Sequence, residues 1–150
     1  MTTIGLDTNF LVYAQGFDGV ERKRRAADVI LALSHHDLVL PVQVVGEFVQ
    51  VCRSKGQLAM PAIDAHLAFW KPLARYVGLS VAGFEAALEL VRRHGLQTYD
   101  AVILASVAEC GGTMLLSEDM HHGFAWRGCT VVNPFVPDVH PLLASLMPGG

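Results

Sequence analysis

The stretch Ile4-Gly5-Leu6-Asp7-Thr8-Asn9 decides how this chain is read. Thr3 to Leu6 has the length and apolar character of a buried strand, and it stops at a carboxylate, Asp7. Thr8 and Asn9 are residue types that cap helices, and Phe10 to Ala14 then reads as a short apolar helix. Asp7 is therefore expected where a strand ends and a helix begins. In open α/β sheets, ligands bind just outside the carboxyl ends of the strands. A carboxylate at the tip of a buried first strand is placed for chemistry. Capping the helix is an equally ordinary role for it, so the reading turns on whether later acids fall at equivalent places.

The chain has 150 residues and is 52% hydrophobic, which suits a single domain over 1–150 with a substantial core. Gly and Pro are scattered, so no linker, repeat or low-complexity segment stands out. The longest apolar runs, such as Ala101 to Ala105, are far too short to span a bilayer, so no membrane association is expected. The first residues lack the basic lead-in of a signal peptide. Cys52, Cys110 and Cys129 are odd in number and widely spaced, without a CxxC pair. Buried free thiols in a reducing cytoplasm account for them most simply.

Net charge is -3, which does not advertise a nucleic-acid binder. The charges are unevenly placed, however. Arg22, Lys23, Arg24 and Arg25 form one basic block, and Arg53 with Lys55 and Arg92 with Arg93 form smaller ones. Such a block is ordinarily a solvated helix face; the functional alternative is a phosphate contact by Arg22, Arg24 and Arg25. Two bound divalent cations would take the net charge from -3 to about +1.

Beyond Gln15 to Gly19, a turn, Glu21 to Leu33 reads as a helix that is basic at its start. Leu38 to Leu40 is a second buried strand, closed by Pro41. Val42 to Arg53 follows as a helix that is apolar nearly all round, with Glu47 its only acid. Burying a carboxylate without a partner costs several kcal/mol or shifts its pKa, so Glu47 is expected to have a cation near it. The bland alternative is a surface glutamate beside Gln43 and Gln50. Pro61 opens a helix towards Trp70, Tyr76 to Leu79 reads as a third strand, and Val81 to His94 as a helix closed by Gly95. Thr98 is the expected N-cap of a very apolar helix with Asp100 in its first turn, where an acid also simply complements the helix dipole. Thr113 to Leu116 is a strand ending in Ser117-Glu118-Asp119, which repeats the arrangement at Asp7. Thr130 to Val132 is a last strand, and a short helix is expected over Leu142 to Met147 in the proline-rich tail.

This alternation implies an α/β fold in three layers, a mostly parallel central sheet with helices on both faces. Asp7 and Asp119 would lie on the carboxyl edge of the sheet, and Glu47 and Asp100 could reach it from packed helices. Carboxylates crowded together repel unless a cation neutralises them. Oxygen-only donors suit Mg²⁺ or Mn²⁺, and such ions in pairs about 3.5–4 Å apart are the usual device for cutting phosphodiesters. No side-chain nucleophile is needed, and no Ser/His/Asp or Cys/His signature is visible.

In these pieces the chain resembles PIN-domain ribonucleases of the VapC toxin type. The matching residues are Leu6-Asp7-Thr8-Asn9, Glu47, Tyr99-Asp100-Ala101 and Leu116-Ser117-Glu118-Asp119-Met120. Each motif is short; their order and spacing together carry the resemblance, which covers about residues 3–133 and leaves 134–150 as a tail. It implies Mg²⁺- or Mn²⁺-dependent cleavage of single-stranded RNA by a toxin that is inhibited by a small antitoxin protein and forms a homodimer. By position, Asp7, Glu47, Asp100 and Asp119 would be the catalytic acids, with Asp7, Asp100 and Asp119 holding metal. Ser117 would orient Asp119 or a bound water, while Thr8 and Asn9 would support the Asp7 loop. A one-residue shift would exchange Asp119 with Glu118.

Other readings compete. Haloacid-dehalogenase-like phosphatases need a second Asp two residues after the first, where this chain has Asn9. They and receiver domains also need a late lysine, and the last here is Lys71. A zinc hydrolase is disfavoured because the adjacent His121 and His122 diverge and no HExxH spacing occurs; these histidines are expected at the rim of the site or in solvent. A PIN-like module that binds RNA or protein without cutting remains the alternative from a different class.

Overall fold

Residues 1–148 are described by the computed structural model. Its six strands are β1 (Thr3–Leu6), β2 (Asp37–Pro41), β3 (Ala74–Val77), β4 (Met114–Leu116), β5 (Ala125–Trp126) and β6 (Cys129–Val132). They form one sheet in the order β3-β2-β1-β4-β6-β5. All neighbours are parallel except the β5–β6 pair. The helices among the described residues are α1 (Thr8–Ala14), α2 (Val20–Leu33), α3 (Val42–Ser54), α4 (Met60–Trp70), α5 (Val81–His94), α6 (Thr98–Glu109) and α7 (Pro141–Ala144). The arrangement is the expected three-layer α/β fold: α1 packs on α2 and α3, and α5 packs on α6.

β1 lies in the middle of the sheet, between β2 and β4, and only Thr3 at its start is partly exposed. Ile4 and Leu6 are buried, and Gly5 lies under α6. A Cβ on Gly5 would collide with the Val107 side chain, so the absence of one lets the most apolar helix sit directly on the central strand. Every α6 residue from Ala101 to Val107 is buried. That explains why its sequence shows no amphipathic period: an element hydrophobic all round belongs in the interior.

Register then fixes the edge that matters. Leu6 pairs with Leu116, so Asp7 and Ser117 emerge side by side. The Asp7 N–H donates to the Leu116 carbonyl (3.0 Å), and the Ser117 N–H donates to the Val132 carbonyl (3.0 Å).

Several boundaries differ from expectation. The third strand is Ala74–Val77 rather than Tyr76 to Leu79: it buries Ala74 and Val77 and exposes the two residues between, so it lacks the alternation that marks a strand. Arg75 anchors it instead, forking onto Asp37 of β2 at 2.9 and 2.8 Å. The cap of α1 is Asp7 itself rather than Thr8 or Asn9, and the cap of α6 is Gln97 rather than Thr98. β5 is missing from the sequence reading because two residues carry no period. Its signal was the turn: Arg127 and Gly128, both at positive φ (48° and 80°), join Trp126 to Cys129 as a two-residue hairpin loop. The tail helix is Pro141–Ala144, shorter than Leu142 to Met147, and positions 149–150 of the expected tail lie outside the described residues. The tail belongs to the core nonetheless, with Leu143 fully buried and Phe135 edge-on to Tyr13 at 5.0 Å. Cys52, Cys110 and Cys129 are free thiols.

Replacing Gly5 by Ala should destabilise the protein by about 1–3 kcal/mol, because Val107 must give way. Chemical denaturation measures this, and unchanged stability would mean that α6 does not rest on β1 as described.

Candidate functional site

Asp7 is the most buried carboxylate among the described residues. It is 5% exposed. Its Oδ1 accepts the Thr8 N–H (2.7 Å), the capping bond of α1, and its Oδ2 accepts the Ser117 hydroxyl (2.6 Å). Capping and a place at the strand tip are thus the same fact, not alternatives. Burial pushes the Asp7 carboxyl up from 3.8 to about 6. The two hydrogen bonds oppose that rise, and the charges of Asp100 and Glu47 add to it.

Glu47 comes in from α3, half-buried. Thr8 Oγ1 donates to one of its oxygens (3.2 Å) and Gln43 Nε2 to the other (3.0 Å). The expected cation is absent in one specific sense: among the described residues no Lys, Arg or His lies within 4.0 Å of it, and neutral donors serve instead. Gln43 was visible in the sequence as the residue one turn before Glu47, a spacing that brings side chains together.

Asp100, in the first turn of α6, makes no side-chain hydrogen bond among the described residues. Partial burial raises its pKa, and the charges of Glu47 and Asp119 raise it further. Asp119 is exposed and takes the Asn9 amide. Asn9 therefore holds Asp119 and Ser117 holds Asp7, the reverse of the pairing expected from the resemblance.

Glu118 and Asp119 point to different neighbours. Glu118 accepts the Tyr13 hydroxyl (2.7 Å) and pairs with Arg22 (3.2 Å), whose guanidinium lies 4.8 Å over the Tyr13 ring. Asp119 lines a cleft with Asp100. Asp119 thus lies beside Asp100, while Glu118 is engaged by Tyr13 and Arg22. Of the basic block, Arg22 is committed to Glu118 and Asp18, and Arg25 donates to the Pro134 carbonyl (2.8 Å). Arg24 is exposed with no such partner among the described residues. The adjacent histidines diverge as expected: His121 lines the cleft, while His122 accepts the Asn133 N–H (2.9 Å).

Asp7, Glu47, Asp100 and Asp119 thus share one electrostatic field without a cationic side chain within 4.0 Å, among the described residues. No three His, Cys, Asp or Glu side chains among those residues converge as a finished metal cage. The donors are all oxygen and mutually repulsive, a set that fits a hard divalent cation.

Asp7 carries a stability cost when ionised. Its folded pKa lies above its ordinary value, so the neutral form favours folding, and that advantage is lost as pH rises through about 6. In chelator at pH 8, Asp7→Asn should therefore be more stable than wild type, by up to about 3 kcal/mol for a shift of this size. The gap should close as the pH falls towards 4. Urea unfolding at both pH values checks this, and a lower or pH-independent stability of the variant contradicts it.

Comparison with known proteins follows the same lines. The PIN domain family profile matches residues 4–123. The search of curated proteins gave no match. Among solved structures, the chain is similar to VapC20 of Mycobacterium tuberculosis, described as a toxin that cleaves the sarcin–ricin loop. Identity is 22% and the TM-score 0.61, over 77% of this chain and 89% of that one. It is also similar to VapBC2 from Rickettsia felis bound to a promoter DNA fragment, at 15% identity and a TM-score of 0.58, over 79% of this chain and 89% of that one. These structures share the fold. With the family profile running from the central strand through all four acids, the chain belongs to the PIN domain family.

Proposed function

We propose that this protein is a metal-dependent endoribonuclease of the VapC toxin type, which cuts RNA phosphodiesters with Mg²⁺ or Mn²⁺. The observation that carries the reading is the group of four carboxylates at the carboxyl edge of a mostly parallel sheet, with no protein cation within 4.0 Å of them among the described residues. Asp7, Asp100 and Asp119 are the residues to hold the metal, and Glu47 completes the acid set. A divalent cation held by these acids would supply Lewis acidity, to activate water and to offset charge on the leaving oxygen.

The rest is the work of the chain. Ser117 and the Thr8 N–H hold both oxygens of Asp7, so its carboxylate cannot rotate away. The Thr8 hydroxyl reaches across to Glu47, which ties the position of α3 to the tip of β1. Asn9 steadies Asp119, the most exposed of the four. Among the described residues Asp100 has no hydrogen-bonding partner of its own, as suits a ligand whose partner is not part of the protein. Outer hydrogen bonds of this kind orient ligands and tune affinity. Arg24, with Arg22 and Arg25 around it, is the candidate for RNA phosphate contact near this edge. A small antitoxin protein as inhibitor, a homodimer as the working form and a cytoplasmic setting complete the proposal; the similarity to VapC20 and VapBC2 supports the first of these. No helix among the described residues is long and apolar enough to cross a membrane.

Asp7→Asn and Asp100→Asn should each abolish cleavage of a mixed RNA pool while leaving the fold intact. Ser117→Ala should reduce it about 10–100-fold, as loss of an outer-shell partner does. The assay is run with Mg²⁺, with Mn²⁺ and with EDTA. Cleavage that survives in both Asp variants, or in EDTA, would overturn the metal-site reading, and metal binding without cleavage would favour a non-catalytic PIN-like module.

A further inference from the structure

Beside the acids lies a cleft of about 380 Å³ that the carboxylate network does not need. Asp7, Thr8, Glu47 and Ser117 are all outside its lining. Its walls are of two kinds. Leu96, Met120, Phe124 and Val131 supply apolar surface, while His94, Gln97 and His121 supply polar edges. Asp100 and Asp119, two of the acids proposed to hold metal, close one side of the cleft.

The cleft is a built feature. Phe124 is carried at the entry to the β5–β6 hairpin. Its N–H donates to the His121 carbonyl (3.1 Å), and its carbonyl accepts the Val131 N–H (2.8 Å). The Gly123 N–H donates to the Val131 carbonyl (2.8 Å), and the Met120 N–H reaches the Ser117 hydroxyl (3.3 Å). The His94 ring stands edge-on to Phe124 at 5.2 Å. Gln97 occupies the cap position of α6 without making a side-chain capping bond, so its amide is available to a ligand.

The chemistry of these walls selects among occupants. Two carboxylates at one side repel an anionic group, so a phosphate is not expected inside. An aromatic ring with apolar neighbours favours a flat, uncharged ring. An amide and two imidazoles favour one with donors and acceptors around its rim. A nucleobase has these properties, and the phosphate joined to it would lie outside the cleft, where a cation held by the acids would offset their repulsion. We propose that the cleft receives one unpaired nucleobase adjoining the phosphodiester to be cut, held against Phe124 with its edge read by Gln97, and that it thereby selects the bond cleaved. This rests on the ribonuclease reading above. The base must be unpaired, because a base within a duplex offers neither its face nor its pairing edge.

The test uses the full chain and a randomised single-stranded RNA pool, with cleavage ends sequenced. Wild type should show a base preference beside the cut. Phe124→Ala should lower kcat/KM about tenfold or more, the scale of losing one base–aromatic contact, and flatten the preference. Gln97→Ala, at an exposed position, should flatten the preference without affecting folding, and Phe124→Tyr should keep both rate and preference. In parallel, the inactive Asp7→Asn protein should bind the pool in Mn²⁺ about tenfold more tightly than Asp7→Asn/Phe124→Ala. Wild-type rate and preference in both Ala variants, with cutting intact, would overturn the base site and leave the nuclease standing. Weakened binding without cutting by wild type would leave the base site and remove the nuclease. No binding at all would overturn the base site.

Discussion

Repulsion among like charges is the constraint on which the rest of this structure depends. Folding brings Asp7, Glu47, Asp100 and Asp119 to one edge of a sheet and places no lysine, arginine or histidine within 4.0 Å of them, among the described residues. Ionising Asp7 opposes burial, and its neighbours make ionisation harder still. A core of buried strands and a helix buried from Ala101 to Val107 sustains that arrangement. Binding a divalent cation would reverse the sign of each of these costs at once. On the metal-site proposal, this mutual repulsion would be relieved when a cation binds.

The neutral hydrogen bonds around the acids serve a different purpose from neutralisation. Ser117, Thr8, Gln43 and Asn9 each donate to a carboxylate, and none brings a charge. They fix orientation while leaving the negative field intact. Arg22 pairs with Glu118 rather than with Asp119. Tyr13 shares that pairing by donating its hydroxyl to Glu118. The pairing also sorts two adjacent acids into one that is spent on the protein and one that remains open.

Much of this was legible in the sequence, and the limits have physical causes. Asp7 was legible because a strand run stops abruptly at it, and α6 because an all-apolar helix must be central. The partnership of Ser117 with Asp7 was not, because it arises from the register of β1 against β4, residues 110 apart in the chain. Asn9 and Asp119 are likewise paired across 110 positions. Local spacing can place an acid on an edge, but which hydroxyl or amide reaches it depends on how two strands align. β3 escaped correct bounds because it is held by the Arg75–Asp37 fork rather than by alternation. The cleft escaped entirely: its walls come from the end of α5, the start of α6 and a hairpin with no periodic signal.

The central claim is that these four acids form a divalent-cation site. It is tested most directly by following the melting temperature through a Mn²⁺ titration, for wild type and for Asp7→Asn/Asp100→Asn. A ligand that binds only the folded state raises stability with its concentration, by about 2.7 kcal/mol at a hundred times Kd. The account predicts a rising melting temperature for wild type and a flat one for the double variant. A flat response in wild type, or an equal rise in both proteins, would contradict it.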